Sequence, residues 1–340
     1  MRFGIYAGPL FPGERELSSR EVFERAVKLS ETAQASGFEG IFVGNHYLVG
    51  DESQILNPVP ILSYLAGRCP GLYLATCVYL LPFHHPITVA EEMATLDLAT
   101  GGRFLFGVGQ GYREIEFTAQ GMRRDERGRR MAEGIRAIRA LWSAPHTSFH
   151  GEFYNFDDVS VSIRPFTQQG PPILVAADTM TTVKRVPEIA DYWIVSPRHS
   201  RTFLAEAIPA YRAELERHER PFNGLFIPRE MYVARTRREA EDTIKKAFEE
   251  MYHRYHQWGQ PGERYDQDFE ALKRERLIVG SPADVTEQIL GYHRDFGAEF
   301  MWFRLYWPGL DIERSLDAIR LFGAEVLPVL KRETGEGRLP

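Results

Sequence analysis

His46 is the residue of this sequence best suited to move a proton. It follows the short apolar segment 40–43, which is typical of a buried strand. In parallel α/β folds the catalytic groups come from the carboxyl ends of strands. A histidine there exchanges protons near neutral pH. We therefore predict His46 as a catalytic acid or base; the simpler alternative is a histidine that only hydrogen-bonds its loop.

The turn after another predicted strand, 172–177, suits a phosphate group. It contains Ala177, Asp178, Thr179, Thr181 and Thr182. Hydroxyl and N–H groups at a helix N-terminus bind phosphate, although the carboxylate in this turn would repel one. The simpler alternative is an N-terminal cap of the next helix. Among five neighbouring arginines we rank Arg127 first as a cation for the phosphate.

A glycine-rich run, GVGQG, ends the predicted strand 103–108. Glycines such as Gly109 allow the backbone to approach a planar ring closely. As a lone pattern the run is weak, and it is not the dinucleotide-binding fingerprint. Cys77 lies in the apolar segment 72–81 and is predicted to be a small buried side chain rather than a nucleophile.

These residues require a fold that gathers strand ends at one rim. Eight apolar strand candidates alternate with amphipathic helices, at 3–8, 40–43, 72–81, 103–108, 172–177, 192–195, 230–234 and 299–306. Strict alternation implies a parallel sheet with covered faces, and eight units imply closure into a (β/α)8 barrel. The alternative is an open doubly wound sheet, which the missing glycine fingerprint after the first strand disfavours.

We assign one barrel to residues 1–330, with two departures from regular alternation. The segment 145–171, rich in proline and short β-like pieces, is predicted to be a hairpin insertion. The charged and aromatic segment 255–276 is either a lid or a solvated surface excursion. The tail 331–340 is predicted to be disordered.

Bulk composition excludes several classes of protein. The net charge of −6 argues against a nucleic-acid partner. Cys69 and Cys77 are too few and too close for a disulfide framework or a cysteine metal site. The adjacent His84 and His85 have no third ligand at a suitable spacing. With neither a signal peptide nor a run of about 18 apolar residues, we expect no membrane association and a cytoplasmic location.

The segment 80–121, LLPFHHPITVAEEMATLDLATGGRFLFGVGQGYREIEFTAQG, resembles the bacterial-luciferase-like, flavin-dependent oxidoreductases. Asn45-His46-Tyr47 looks like the Glu-His-His position of that family. PPILVAADTMTT at 171–182 resembles its phosphate-binding strand and turn, and SLDAIRLFGAEVLPVL resembles its closing helix. The resemblance covers nearly the whole chain and rests on the order and spacing of these motifs together.

The resemblance implies a flavin site at the barrel rim. It places His46 next to the flavin and a cis peptide bond between Cys77 and Val78 beneath the ring. Two positions depart from the family: Asn45 replaces a carboxylate, and Gly109 with Gln110 replaces the bulkier, charged residues of bacterial luciferase. Aromatic residues near the rim are candidates for the substrate pocket, against plain core packing: Tyr79, Tyr112, Tyr306 and Trp307.

The resemblance further implies a monooxygenase. Reduced FMN would react with dioxygen, and a flavin 4a-hydroperoxide would oxygenate a small organic substrate in a shielded pocket. A separate NAD(P)H-dependent reductase would supply the reduced FMN, and the chain would form a homodimer. One alternative is hydride transfer with a deazaflavin coenzyme on the same barrel. A second is a flavin-binding protein without catalysis.

Overall fold

Short apolar segments form the strands of a closed parallel barrel in the computed structural model, which describes residues 1–8, 17–44, 46–50, 53–257, 268–307 and 309–335. The strands are β1 (Arg2–Tyr6), β2 (Gly40–Val43), β3 (Tyr73–Thr76), β4 (Tyr79–Leu80), β5 (Phe104–Gly109), β6 (Thr147–His150), β7 (Asn155–Val159), β8 (Ile173–Ala176), β9 (Tyr192–Ile194), β10 (Leu225–Val233), β11 (Ile278–Gly280) and β12 (Ala298–Arg304).

The barrel runs in the order β1, β2, β3 with β4, β5, β8, β9, β10 and β12, and closes when β12 pairs with β1. All these pairings are parallel, so the carboxyl ends of all eight barrel strands meet at one rim. The predicted (β/α)8 barrel is therefore confirmed.

Amphipathic helices cover the outside of the barrel. They are α1 (Ser19–Ala35), α2 (Pro58–Arg68), α3 (Pro86–Thr100), α4 (Glu114–Ala119), α5 (Arg127–Ser143), α6 (Met180–Ile189), α7 (Arg201–Arg217), α8 (Arg237–Gln257), α9 (Phe269–Glu275), α10 (Pro282–Phe296), α11 (Ile312–Leu321) and α12 (Leu327–Thr334). Among the helices in the described ranges, none is both long and apolar enough to cross a membrane.

Local sequence signals fix where these helices begin and end. Ser18 and Glu21 form a reciprocal capping box at the start of α1. Ser281 caps α10, with proline in its first turn, and Gly297 ends it in the left-handed conformation. Such signals are short-range, so each of these boundaries depends on a few neighbouring residues.

Two apolar layers hold the barrel together. Inside it, the rings of Phe42 and Trp302 stack with centroids 4.0 Å apart, and Phe226 and Phe300 fill the space below. A larger layer packs the outer strand faces against the helices. Because aromatic side chains plug the lower barrel, open space is left at the rim where the strands end.

Two predicted strands differ in the structure. The third is divided at Cys77 and Val78, whose peptide bond is cis, into β3 and β4. The seventh begins at Leu225 rather than at 230, because the chain stays extended through Pro228. A proline lacks the N–H of a ladder bond and usually argues against a central strand, so the first half of β10 was missed.

The predicted insertion, lid and tail have different outcomes. Strands β6 and β7 form an antiparallel hairpin within 145–171, and the buried Glu133 carboxylate accepts the N–H groups of Phe153 and Tyr154 at its turn. The lid candidate is helical at both edges, in α8 and α9, while its middle, 258–267, lies outside the described residues.

The tail prediction is corrected for its first part. Residues 331–334 belong to α12, and the amino group of Met1 donates hydrogen bonds to the Thr334 hydroxyl and the Gly335 carbonyl. These bonds and the packing of α12 give the segment the order that the polar sequence did not suggest. Residues 336–340 lie outside the described part of the chain.

Candidate active site

A pocket opens at the rim where the barrel strands end. Its volume of about 180 Å³ is roughly ten times what one water molecule requires. Eight of the residues predicted from the sequence line it: His46, Cys77, Val78, Gly109, Gln110, Tyr112, Arg127 and Asp178. Residues separated by up to 132 positions in the chain are thus brought to one cavity.

The floor of the pocket is apolar and closely packed. Val78, Ile194 and Trp302 contribute to it, and the Trp302 indole donates a hydrogen bond to the Cys77 thiol. Gly109 is required by close approach, since a Cβ at this position would lie 2.5 Å from a methyl group of Val78. The glycine therefore makes room for the Val78 side chain beneath the pocket.

His46 is held by a buried carboxylate. Its Nδ1 lies 3.1 Å from Oε1 of Glu116, and the same oxygen accepts the N–H of Tyr47 at 2.8 Å. Arg113 donates to the Tyr47 carbonyl and lies 3.9 Å from this carboxylate. A carboxylate that accepts from Nδ1–H selects the histidine tautomer with its second nitrogen, Nε2, as the proton-exchanging atom.

Glu116 is the main site residue that the sequence analysis missed. It lies in α4, 70 positions after His46, and is completely buried, with Oε2 lacking a hydrogen-bond partner among the described residues. The sequence position next to the histidine held Asn45, which lies outside the described residues. The available signal was an acidic residue in a short helix directly after the glycine-rich turn of β5.

The helix start predicted to bind phosphate is capped by its own side chains. The Thr179 hydroxyl accepts the N–H of Thr182, and the Thr182 hydroxyl accepts the N–H of Thr179. Ala177 is buried, and neither it nor Thr179, Thr181 or Thr182 lines the pocket. The capping alternative thus describes the threonines, and only Asp178 of this turn reaches the pocket.

Asp178 faces away from the helix start. Burial raises the pKa of its carboxyl, while the charge of Arg198 and a hydrogen bond from Ser196 act in the opposite direction. The carboxyl group is therefore directed towards the loop after β9. This orientation removes part of the repulsion that a phosphate at the start of α6 would meet.

Arg127 presents a partly satisfied guanidinium group to the same cavity. One of its terminal nitrogens donates to the Arg124 carbonyl at 2.9 Å, and its buried Nε has no hydrogen-bond partner among the described residues. Burial lowers the pKa of Arg127, as does the charge of Arg124 to a smaller degree. A bound anion between β5 and α6 would stabilise the charged form of Arg127 and so oppose both the burial and the repulsion from Arg124.

Three aromatic residues predicted for the pocket belong to the outer core instead. The Tyr79 ring packs 4.5 Å from that of His84, the Tyr306 hydroxyl accepts a hydrogen bond from Arg25, and the Trp307 indole donates to the Met231 carbonyl. Tyr79 lies in β4 with its side chain in the outer layer, whereas Tyr306 and Trp307 lie beyond the end of β12, where strand alternation no longer applies. Tyr112 does line the pocket, with its ring 5.1 Å from that of His46.

The opposite wall is polar and was not predicted. It comes from the loop 196–200 after β9 and from the ends of β10 and β12, and contains Ser196, Arg198, Glu230 and Arg304. His199 ties this loop to the rest of the rim, because Nδ1 accepts the N–H of Ser196 and Nε2 donates to the Asp178 carbonyl. The sequence offered no periodic or motif signal for this loop.

His199 is expected to make the protein less stable in weak acid. Burial lowers its pKa to about 3, from 6.5 in the unfolded chain. Between these values only the unfolded chain binds the proton, so the free energy of unfolding falls as the pH drops below 6.5. From pH 7 to pH 5 the loss from this group is about 2 kcal/mol.

Urea unfolding of the wild type and of His199→Asn at both pH values tests this expectation. The variant should lose less stability between pH 7 and pH 5 than the wild type. The variant is compared with the wild type because both contain Asp178. The raised pKa of Asp178 stabilises the folded protein as the pH falls and so opposes the effect of His199. An equal loss in both proteins contradicts the prediction.

Cys77 is expected to react slowly with thiol reagents although it lines the pocket. Burial raises its pKa to about 12, and the Trp302 hydrogen bond with the charges of Arg198 and Arg304 offsets this only in part. The thiolate is the reactive form, and near pH 8 almost none is present. Burial raises the pKa of Cys69 as well.

Titration with Ellman's reagent should therefore find no fast thiol in the native protein and both cysteines after denaturation. The Cys77→Ala variant serves as the control. A fast-reacting native thiol that disappears in this variant would contradict the prediction.

Comparison with known proteins adds to this geometry. The family model described as luciferase-like monooxygenase matches residues 1–299. The oxygenase component of flavin-dependent trigonelline monooxygenase from Acinetobacter baylyi is 28% identical over 179 residues, covering 52% of this chain and 49% of that protein. The chain thus spans about half the length of this curated relative.

Two further matches extend over the whole chain. F420-dependent glucose-6-phosphate dehydrogenase from Nakamurella multipartita is 26% identical over 353 residues, covering 99% of this chain and 98% of that protein. The crystal structure of monooxygenase RslO1 from Streptomyces bottropensis matches with a TM-score of 0.85 at 26% identity, covering 97% and 99% of the two chains. The trigonelline relative is named as flavin-dependent and the dehydrogenase as F420-dependent, so these two relatives differ in cofactor.

Proposed function

Because this chain belongs to the luciferase-like monooxygenase family, we propose that it binds reduced FMN in the rim pocket and uses dioxygen to oxygenate a small organic substrate. The observation that carries this proposal is the His46–Glu116 pair beside an apolar floor. Such a pair transfers protons at a defined atom, and such a floor accepts a planar aromatic ring. A reaction of a flavin with dioxygen uses the proton transfer, and the apolar floor keeps the site poor in water.

The residues present fit a flavin. Val78, Ile194 and Trp302 offer apolar surface to the ring system. Gln110 offers a side-chain amide that pairs with polar ring edges. Arg127, whose Nε has no hydrogen-bond partner among the described residues, offers a cation to the phosphate. When bound, reduced FMN supplies the electrons that activate dioxygen.

The chain supplies positioning and proton transfer. Glu116 fixes the ring of His46 through Nδ1, so that the proton moves at Nε2, towards the pocket. The buried carboxylate also compensates the charge of His46 when the ring carries both protons. Tyr47, next to His46, packs on Phe83 with ring centroids 6.0 Å apart, and Phe83 packs on Phe117, next to Glu116, at 4.8 Å. This apolar packing favours a water-poor environment for the pair.

A second candidate is hydride transfer with a deazaflavin coenzyme. It is favoured by the F420-dependent relative, which matches over nearly the whole chain, whereas the trigonelline monooxygenase component matches over about half. In this candidate His46 gives or takes the proton that accompanies hydride transfer. The pocket geometry serves either ring system.

Two partners follow from the first candidate. A separate NAD(P)H-dependent reductase would deliver reduced FMN, as the name of the trigonelline relative, an oxygenase component, suggests. A homodimer is the second proposal, and analytical ultracentrifugation tests it directly.

The test is an anaerobic titration with reduced FMN and, in parallel, with reduced F420, followed by mixing with oxygenated buffer. The proposal is supported if reduced FMN binds tightly and the bound form reacts with dioxygen more slowly than free reduced FMN does. Binding of F420 without binding of FMN would replace it with the second candidate. Binding of neither would reject both.

A further inference from the structure

The 196–200 loop is held unusually firmly by buried cations. Arg229 donates to the carbonyl oxygens of Ser196 and His199, each at 3.2 Å, and to the Tyr292 hydroxyl at 2.8 Å. Arg276 donates from Nε to the Arg198 carbonyl. Both arginines are almost completely buried. The loop backbone is thus fixed at three of its five residues, Ser196, Arg198 and His199.

The fixed loop presents Arg198 to the pocket. Its side chain is 9% exposed and lines the cavity together with Ser196. Cys77 of the floor and Asp178 line the same cavity, and the charge of Arg198 acts to lower the pKa of both groups. A group bound to Arg198 therefore lies close to the proposed ring site.

The described lining of this cavity carries more positively than negatively charged side chains. Among the described residues that line it, the charged ones are Arg127, Arg198, Arg229, Arg304, Asp178 and Glu230, four cations and two anions. The chain as a whole has a net charge of −6. An electropositive cleft in an acidic protein concentrates anionic ligands.

Arg229 adds to this imbalance. Its hydrogen-bond acceptors are backbone carbonyls and a tyrosine hydroxyl, and among the described residues no carboxylate lies within ion-pair distance. A buried cation with only neutral acceptors leaves its charge uncompensated. An anion held nearby in the pocket would supply the missing compensation.

The strand order places the 196–200 loop away from His46 and Arg127. His46 follows β2 and Arg198 follows β9, four strands apart in either direction around the eight-stranded barrel. Arg127 follows β5, two strands from each. The cavity therefore has a proton-transfer side at β2, a cationic side at β9 and a further cation between them.

We propose that Arg198 on the 196–200 loop forms an anion subsite that binds a carboxylate or a similar negatively charged group of the substrate. The proposal rests on the proposed function, in which Arg127 and the start of α6 receive the phosphate of FMN. Arg198 then selects organic anions, and Arg229 and Arg276 are positioning residues that hold its loop.

Isothermal titration of the flavin-free protein with benzoate and with its neutral counterpart benzamide tests the subsite. The wild type should bind benzoate at least about tenfold more tightly, the factor expected of a hydrogen bond to a charged group. Arg198→Gln should abolish this preference and Arg198→Lys should keep part of it. Arg217→Gln, a change on the exposed side of α7, should leave it intact.

Titration with FMN and with riboflavin, which lacks the phosphate, shows whether Arg198 binds an anionic group of the substrate or the phosphate of the cofactor. Arg127→Gln should reduce the preference for FMN over riboflavin, and Arg198→Gln should not. Loss of the FMN preference in Arg198→Gln would assign the subsite to the cofactor and overturn the proposal. So would equal binding of benzoate and benzamide by the wild type.

Two features keep the test independent of folding and of the flavin. If Arg198→Gln fails to fold, the salt dependence in the wild type decides: benzoate binding should weaken with added salt and benzamide binding should not. Equal salt dependence overturns the proposal. Because the benzoate arm contains no flavin, failure to bind FMN rejects the proposed function without affecting this result.

Discussion

Replacing His46 by glutamine is expected to slow the single-turnover reaction of bound reduced FMN with dioxygen by about 10²–10⁴-fold, the usual contribution of a positioned proton donor or acceptor. Glutamine keeps a side chain that can hydrogen-bond Glu116 and removes the titrating ring. Stopped-flow absorbance of the flavin after mixing with oxygenated buffer measures the rate.

FMN binding should be retained in this variant, because the ring of His46 lies at the side of the pocket and the proposed phosphate contacts lie at β5 and β8. His218→Gln, a change at the exposed end of α7, is the matched control and should react at the wild-type rate. A His46→Gln protein with unchanged FMN binding and an unchanged rate would remove His46 from the chemistry.

Replacing Glu116 by glutamine is expected to slow the same reaction by about 10- to 1,000-fold, between the effect of an outer partner of a ligand and that of the aspartate in a serine-protease triad. Glutamine can still accept the N–H of Tyr47 through its oxygen, so the loop is retained. The negative charge that orients and supports His46 is lost.

A double-mutant cycle separates positioning from a general loss of structure. If Glu116 acts through His46, Glu116→Gln should have little further effect in a His46→Gln background. Glu114→Gln, on the exposed face of the same short helix, is the control and should leave the rate unchanged. Independent, multiplying effects of the two changes would contradict the positioning role.

The fold was largely predictable because its signals are local. Apolar runs, caps such as Ser18 and Ser281, and the terminal Gly297 each depend on a few neighbouring residues. Strand β10 was the exception, since its proline contradicts the usual pattern of a central strand. Order at the start of the tail depends on a contact between Met1 and Thr334 at the end of α12, which periodicity does not report.

Apart from Arg127 at the start of α5, the candidate site was predictable where a residue stands at or near a strand end. His46, Cys77, Gly109 and Asp178 each follow or end a barrel strand, and each reaches the pocket. Glu116 comes from a short helix and meets His46 only after the barrel has closed. The outward placement of Tyr79 depends on a strand register that the sequence does not fix to within one residue. Tyr306 and Trp307 lie beyond the end of β12, a strand that the sequence extended to 306.

The cationic wall was unpredictable for a different reason. Arg198, Arg229 and Arg276 are scattered over 79 positions and have the composition of ordinary surface residues. The burial of Arg229 and Arg276 is accompanied by hydrogen bonds to the carbonyl groups of a single loop, 196–200. No short sequence window contains both these two arginines and the carbonyl groups that accept from them.

Closure of the barrel through β1 and β12 also determines when the barrel can fold during synthesis of the chain. Phe300 pairs with Arg2, so the first strand waits for almost the entire polypeptide to be synthesised before it has both neighbours. During that interval β1 and β10 present unpaired edges that other chains can extend. Slow synthesis, low temperature or a chaperone that shelters nascent strands should therefore raise the yield of folded protein, and chains released before β12 should accumulate as aggregates.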